Sequence, residues 1–156
     1  ISAKLTEMGV SIEENEDSIR VYCNDRTKGT NIKTMPYPGF PTDMQQPMSV
    51  LLSISRGTSL VTENIFESRF KYLNELQRMG AIINTEGQVA VIEGVAELSG
   101  APVYAHDLRA GAALVVAGLV ADGETSIENV NYIDRGYEKL EEKLTALGAS
   151  IRRISN

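Results

Sequence analysis

The sequence predicts an α/β domain assembled from repeated units of strand, helix, strand, helix, strand, strand. Two observations predict it. Three segments end alike: Leu5-Thr6-Glu7-Met8-Gly9-Val10-Ser11-Ile12, Leu76-Gln77-Arg78-Met79-Gly80-Ala81-Ile82-Ile83 and Leu144-Thr145-Ala146-Leu147-Gly148-Ala149-Ser150-Ile151. Each reads as a helix closed by glycine, which tolerates the left-handed backbone that ends helices, and then a β-branched strand. In addition, residues 57–70 match residues 123–136 at a constant offset, pairing Val61 with Ile127, Phe66 with Tyr132, Ser68 with Asp134 and Arg69 with Arg135. Self-similarity at such a period marks a repeat architecture, with units packed around a common core.

Taken in order, the chain opens inside the last helix of an earlier unit. The run Ile19-Arg20-Val21-Tyr22-Cys23 alternates as a half-buried strand does, which makes Cys23 a half-buried, inert thiol. The first full unit has strands near residues 32–36, 59–64, 81–84 and 88–94, and helices near 43–55 and 69–79. Its first strand runs into Tyr37-Pro38-Gly39-Phe40-Pro41-Thr42-Asp43-Met44-Gln45. Pro38, Gly39 and Pro41 force a tight turn there, and Thr42 or Asp43 is placed to cap the helix that follows. In the second unit Asp107-Leu108-Arg109 stands where Asp43-Met44-Gln45 stands in the first, again before an apolar helix. A last helix starts at Asp134 and a strand over residues 150–154 follows Gly148, one strand short of a complete unit. The expectation is one partial domain over residues 1–156, about two units long and truncated at both ends.

Composition narrows the function. The 156 residues are 42% hydrophobic and 23% charged, ordinary for a globular domain with a real core. A formal net charge of −6 argues against general nucleic-acid binding, so an anionic ligand must be met by a local cluster of Arg or Lys. One cysteine and one histidine exclude an internal disulfide and argue against a zinc site. The longest apolar run, residues 112–121, is too short to span a bilayer.

Asp43, Ser68, Asp107 and Asp134 all stand at expected helix starts and read as caps. Arg69, Arg109 and Arg135 fall in the first turns of the same helices, where a cation opposes the helix dipole. Three such exceptions in register point to a negatively charged ligand shared by arginines and helix N-termini. Gly111 and Gly136 would let that ligand approach the backbone. His106, directly before Asp107, reads as part of the helix start, and Tyr137 and Glu138 as packing or solvated residues of the last helix.

Four motifs carry a resemblance: Pro38-Gly39-Phe40-Pro41-Thr42-Asp43-Met44-Gln45, Glu63-Asn64-Ile65-Phe66-Glu67-Ser68-Arg69-Phe70, Asp107-Leu108-Arg109-Ala110 and Asp134-Arg135-Gly136-Tyr137-Glu138. In this order and spacing they resemble the enolpyruvyl transferases, and among these the UDP-N-acetylglucosamine 1-carboxyvinyltransferases of bacterial peptidoglycan synthesis. The resemblance implies an inside-out α/β barrel of βαβαββ units, in a two-domain protein of which this chain is a C-terminal fragment. It implies transfer of the enolpyruvyl group of phosphoenolpyruvate to the 3-hydroxyl of UDP-N-acetylglucosamine, with release of phosphate and without metal or cofactor.

Carried over by motif, Asp43 is the general base, the Ile65 backbone touches the nucleotide sugar, Arg109 and Arg135 lie near phosphoenolpyruvate, and Arg69 is an accessory cation. The expected partners are the two substrates and the remaining N-terminal domain, with no nucleic acid and no membrane, in the bacterial cytoplasm. The family's reactive cysteine, the target of fosfomycin, lies in the other domain, and Cys23 does not match its motif. The chain alone is therefore expected not to turn over. Three alternatives stay open: the sister enolpyruvyl transferase of the shikimate pathway, a non-catalytic repeat domain binding a phosphorylated ligand, and the RNA-phosphate cyclase group.

Overall fold

The structure, a computed structural model, describes residues 1–154, so the last two positions of the expected 1–156 domain lie outside the described residues. The chain opens with α1 (Ser2–Glu7) and a hairpin of β1 (Ser11–Glu14) and β2 (Ile19–Tyr22). One complete unit follows: β3 (Ile32–Lys33), α2 (Gln45–Ser53), β4 (Thr58–Thr62), α3 (Leu73–Arg78), β5 (Ile82–Glu86) and β6 (Val89–Glu93). A second unit comprises β7 (Pro102–Tyr104), α4 (Leu108–Val120), β8 (Ser126–Glu128), the single-turn α5 (Asn131–Asp134) and α6 (Leu140–Ala146).

The complete unit forms a mixed sheet in the order β3-β4-β6-β5. β3 runs parallel to β4, with Ile32 opposite Val61, while β6 lies antiparallel to both β4 and β5. Strand side chains alternate between faces, so Val61, Ala90 and Ile92 are buried while Leu60 and Val91 point outward. The second unit repeats the first step, β7 parallel to β8 with Val103 opposite Ile127. Helix α2 is buried nearly all round, which places it inside the unit instead of on its surface. It packs against α4 across the boundary between units. Tyr72 is buried there and its hydroxyl hydrogen-bonds Ser49 Oγ at 2.8 Å and Gln45 Oε1 at 3.2 Å.

The glycines that mark the repeat do what the sequence requires of them. Gly9, Gly80 and Gly148 have φ of 91°, 92° and 96° just past three helices. Just before each, Met8 and Met79 are fully buried, but Leu147 is 85% exposed. The difference lies in what passes over the helix end. Lys28 N–H bonds Met8 O at 2.9 Å and Ser99 N–H bonds Met79 O at 2.8 Å. Among the described residues nothing crosses Leu147 in the same way.

Several expectations need correction. No strand forms over residues 150–154. In the complete unit the equivalent strand, β5, pairs only with β6, so without a β6 counterpart among the described residues the segment has no ladder to join. α3 begins at Leu73, not near residue 69, and the expected helix at Asp134 is split into α5, a turn, and α6, with Lys139 in the left-handed region between them. Cys23 is exposed, not half-buried, because it follows β2, the strand of a two-stranded hairpin in which all four residues face solvent.

Candidate functional site

The turn after β3 is built as its residues demand. Gly39 N–H bonds Pro36 O at 2.8 Å and Met35 N–H bonds Phe40 O at 3.0 Å, and a Cβ on Gly39 would overlap Met35. The chain then enters a 3-10 turn, Thr42–Met44, which leads into α2. Neither Thr42 nor Asp43 caps it. Asp43 instead faces outward to two arginines from distant parts of the chain. Its Oδ1 accepts from Arg69 Nη1 at 2.9 Å and its Oδ2 from Arg109 Nη2 at 3.1 Å.

Only one of the four expected caps acts as one. Asp107 accepts the N–H of Ala110 at 2.8 Å at the start of α4, which sets Arg109 in that helix's first turn. Asp134 pairs with Arg153, with Nη1 at 2.9 Å and Nη2 at 2.6 Å, and Ser68 lies in the turn before α3. Likewise only Arg109 opens a helix. Arg69 precedes α3 and stacks over the Phe66 ring at 4.3 Å, and Arg135 follows the last residue of α5. Arg69 and Arg135 both stand ahead of the last helix of their units, but only Arg69 reaches Asp43.

Asp43, Arg69, Asp107, Leu108 and Arg109 line an open cleft of about 360 Å³. Arg135 is exposed and does not line it, though the adjoining Gly136 packs on Leu108, where a Cβ would come within 2.8 Å of Leu108 Cδ2. A Cβ on Gly111 would meet Ile133 at 2.6 Å. Both glycines thus allow close packing against α4, Gly111 under Ile133 of α5 and Gly136 on Leu108. Tyr137 lies beside Arg109 and packs with Ile133. Burial by itself would raise the Asp43 pKa, but the hydrogen bonds from Arg109 and Arg69 outweigh it, and the carboxyl is held below the usual range. The site can therefore present an ionised carboxylate beside two guanidinium groups, with the N-terminus of a thirteen-residue helix at its wall.

Two buried glutamates carry no signal in the sequence. Glu63, 1% exposed at the end of β4, accepts from Thr34 Oγ1, Thr42 Oγ1 and Ile65 N, each at 2.8 Å, and from Phe66 N at 3.2 Å. Ile65 is thus fixed through its backbone while its side chain stays 39% exposed. Glu75 in α3 accepts Tyr104 N at 3.2 Å and lies 3.2 Å from His106 Nε2, tying α3 to the strand before α4. Glu63 stands within the second of the four motifs, but nothing in its sequence neighbourhood distinguishes a buried acceptor from a solvated surface charge.

Residues 1–144 match the family model described as EPSP synthase (3-phosphoshikimate 1-carboxyvinyltransferase). The chain is 59% identical over 154 residues to a protein of Caldanaerobacter subterraneus subsp. tengcongensis named UDP-N-acetylglucosamine 1-carboxyvinyltransferase 3, covering 99% of this chain and 37% of that protein. It is 62% identical over 151 residues to UDP-N-acetylglucosamine 1-carboxyvinyltransferase of Desulfofundulus thermocisternus, covering 97% and 62%. Among solved structures, the enolpyruvyl transferase NikO from Streptomyces tendae superposes with a TM-score of 0.88 at 28% identity, covering 97% of this chain and 35% of that one. An EPSP synthase from Acinetobacter baumannii shares the fold, at TM-score 0.56 and 23% identity over 81% and 31% of the chains. The chain spans about 37% of the first curated relative it matches.

Proposed function

The chain belongs to the EPSP synthase family, and from that premise we propose that it is part of an enzyme that transfers the enolpyruvyl group of phosphoenolpyruvate to the 3-hydroxyl of UDP-N-acetylglucosamine. The observation that carries this reading is Asp43 held between Arg69 and Arg109 at the cleft, set in a chain 59% identical to a relative of that name. In the reaction Asp43 takes the proton of the sugar hydroxyl, whose oxygen bonds to C2 of phosphoenolpyruvate while the C2–C3 electron pair takes up a proton at C3, which gives a tetrahedral adduct. Loss of one C3 proton and of inorganic phosphate from C2 then restores the C2–C3 double bond and leaves the enolpyruvyl ether.

The arginines explain how one carboxylate can be both ionised and reactive. In the free protein they hold its pKa down. An incoming phosphate or carboxylate competes for the same guanidinium groups and draws them off Asp43, which raises its basicity as substrate arrives. Arg135 serves as a further cation for phosphoenolpyruvate, and the Ile65 backbone meets the nucleotide sugar. A second domain supplies the rest of the site, and the enzyme works in the cytoplasm in peptidoglycan synthesis. No described helix is long and apolar enough to cross a membrane.

The test is phosphate release by the full-length protein carrying this chain. Release is expected only when phosphoenolpyruvate and UDP-N-acetylglucosamine are both present. Release with shikimate 3-phosphate in place of the nucleotide sugar would reassign the chain to the sister enzyme, and release by residues 1–156 alone would contradict the partial-domain reading.

A further inference from the structure

We propose that Glu63 is a positioning residue of this site: through Thr42 it aims Arg69 at Asp43, and through the Ile65 and Phe66 amides it fixes the adjoining loop. The proposal rests on the reading of Asp43 as the reacting carboxylate. It starts from an anomaly. A carboxylate that is 1% exposed is costly to bury unless its lone pairs are fully used. Glu63 uses them on four donors and has no cation within ion-pair distance among the described residues. Two of these bonds lead to the cleft, one through Thr42 to Arg69 and one to Phe66, whose ring lies against Arg69, so a group kept buried at that cost positions a residue that lines it.

The direction of each hydrogen bond follows from proton counting. Thr42 has one hydroxyl proton. Glu63 Oε2 can only accept, so at 2.8 Å it takes that proton. The Thr42 lone pairs are then turned the other way, and one of them receives Arg69 Nη1 at 2.8 Å. The same Nη1 reaches Asp43 Oδ1 at 2.9 Å. Arg69 is thus held by an oriented acceptor behind it, the Phe66 ring beneath it and Asp43 in front. Phe66 itself is placed by its amide bond to Glu63. From Arg69 the donors point two ways, one Nη1 proton to Thr42, whose own proton goes on to Glu63, and the other to Asp43, so turning the Thr42 hydroxyl round breaks the arm that leads to Glu63. Glutamine at position 63 would keep its carbonyl for the two amides and turn its NH2 towards Thr42, which removes the acceptor that orients the hydroxyl.

Two variants of the full-length protein test this. Thr42→Val removes the relay and leaves the Glu63 bonds to Thr34, Ile65 and Phe66 in place, while Glu63→Gln reverses the relay at its origin. The Asp43 carboxyl is titrated by 13C NMR, and kcat/KM for enolpyruvyl transfer is measured beside it. In both variants the Asp43 titration midpoint is expected to rise, because Arg69 is less well held against it, and kcat/KM to fall roughly 10- to 100-fold. The double variant is expected to lose no more than Glu63→Gln alone, since both act on one chain of contacts. A Thr42→Val protein with an unmoved Asp43 midpoint and wild-type kcat/KM overturns the proposal. So does a Glu63→Gln protein that melts earlier but titrates as wild type, which is what a merely structural Glu63 would do. Absence of turnover in the wild type sinks the functional reading alone, and the Asp43 midpoint still decides the role of Glu63.

Discussion

Asp43 and Arg109 stand 66 positions apart in the chain and 3.1 Å apart in space, Oδ2 to Nη2. The contact joins the start of the first unit's inner helix to the start of the second's. It exists because α2 and α4 pack side by side and because Asp107 caps α4, so that the first turn of α4 points Arg109 at the neighbouring helix start. Arg69 closes the same carboxylate from the other side at 2.9 Å.

Replacing Asp43 by Asn keeps the size of the side chain and removes its charge and its ability to take a proton. Transfer in the full-length protein is expected to fall by about 10²- to 10⁴-fold. The melting midpoint is expected to change little, because Asp43 is 49% exposed and both arginines reach solvent when it is gone. Phosphate-release rates and a thermal melt on one preparation check both halves. Near-wild-type turnover would remove Asp43 from the role of base.

Acid should destabilise the fold through its paired carboxylates. Asp43 is held low despite its burial by Arg109 and Arg69, and Asp134 is held low by its hydrogen bonds from Arg153. Both bind a proton less readily when folded than when unfolded, so the unfolded chain takes up more protons as the pH falls. Their contribution is complete above the ordinary carboxylate value of 3.8 and is lost as the pH drops through the lower folded values. Urea midpoints of the full-length protein are expected to be level between about pH 7 and about pH 5 and to decline below about pH 4. Asp134→Asn should lessen that decline. An unchanged acid slope in this variant would show that the Arg153 pair does not contribute.

Two glycines predict costs of different size for one substitution. A Cβ on Gly94 would overlap the Ser55 carbonyl, where α2 has just ended, so the backbone must move. Gly94→Ala is expected to cost about 3 kcal/mol or more. Gly87, in the β5–β6 turn, has φ of 57°, and a Cβ added there would meet nothing within 4 Å. Gly87→Ala is therefore expected to cost only about 1 kcal/mol, from its left-handed backbone. Chemical denaturation of the two variants side by side measures the difference.

Local sequence patterns were enough to specify the unit. Hydrophobic periodicity and helix-ending glycines are local signals, and they sufficed for the order β3, α2, β4, α3, β5, β6 and for the left-handed backbone at Gly9, Gly80 and Gly148. They also marked Asp43, Arg69 and Arg109 as residues to watch. What each of these touches is set by packing between distant segments. Whether Asp43 caps its own helix or binds arginines depends on side chains 26 and 66 positions away, and no local pattern carries that distance. The same holds for Glu63, whose burial is set by Thr34 and Thr42 arriving from other elements. Residues 150–154 show the converse: their β-branched pattern is that of a strand, but a strand is completed by the hydrogen bonds of a neighbour, and no described neighbour offers them.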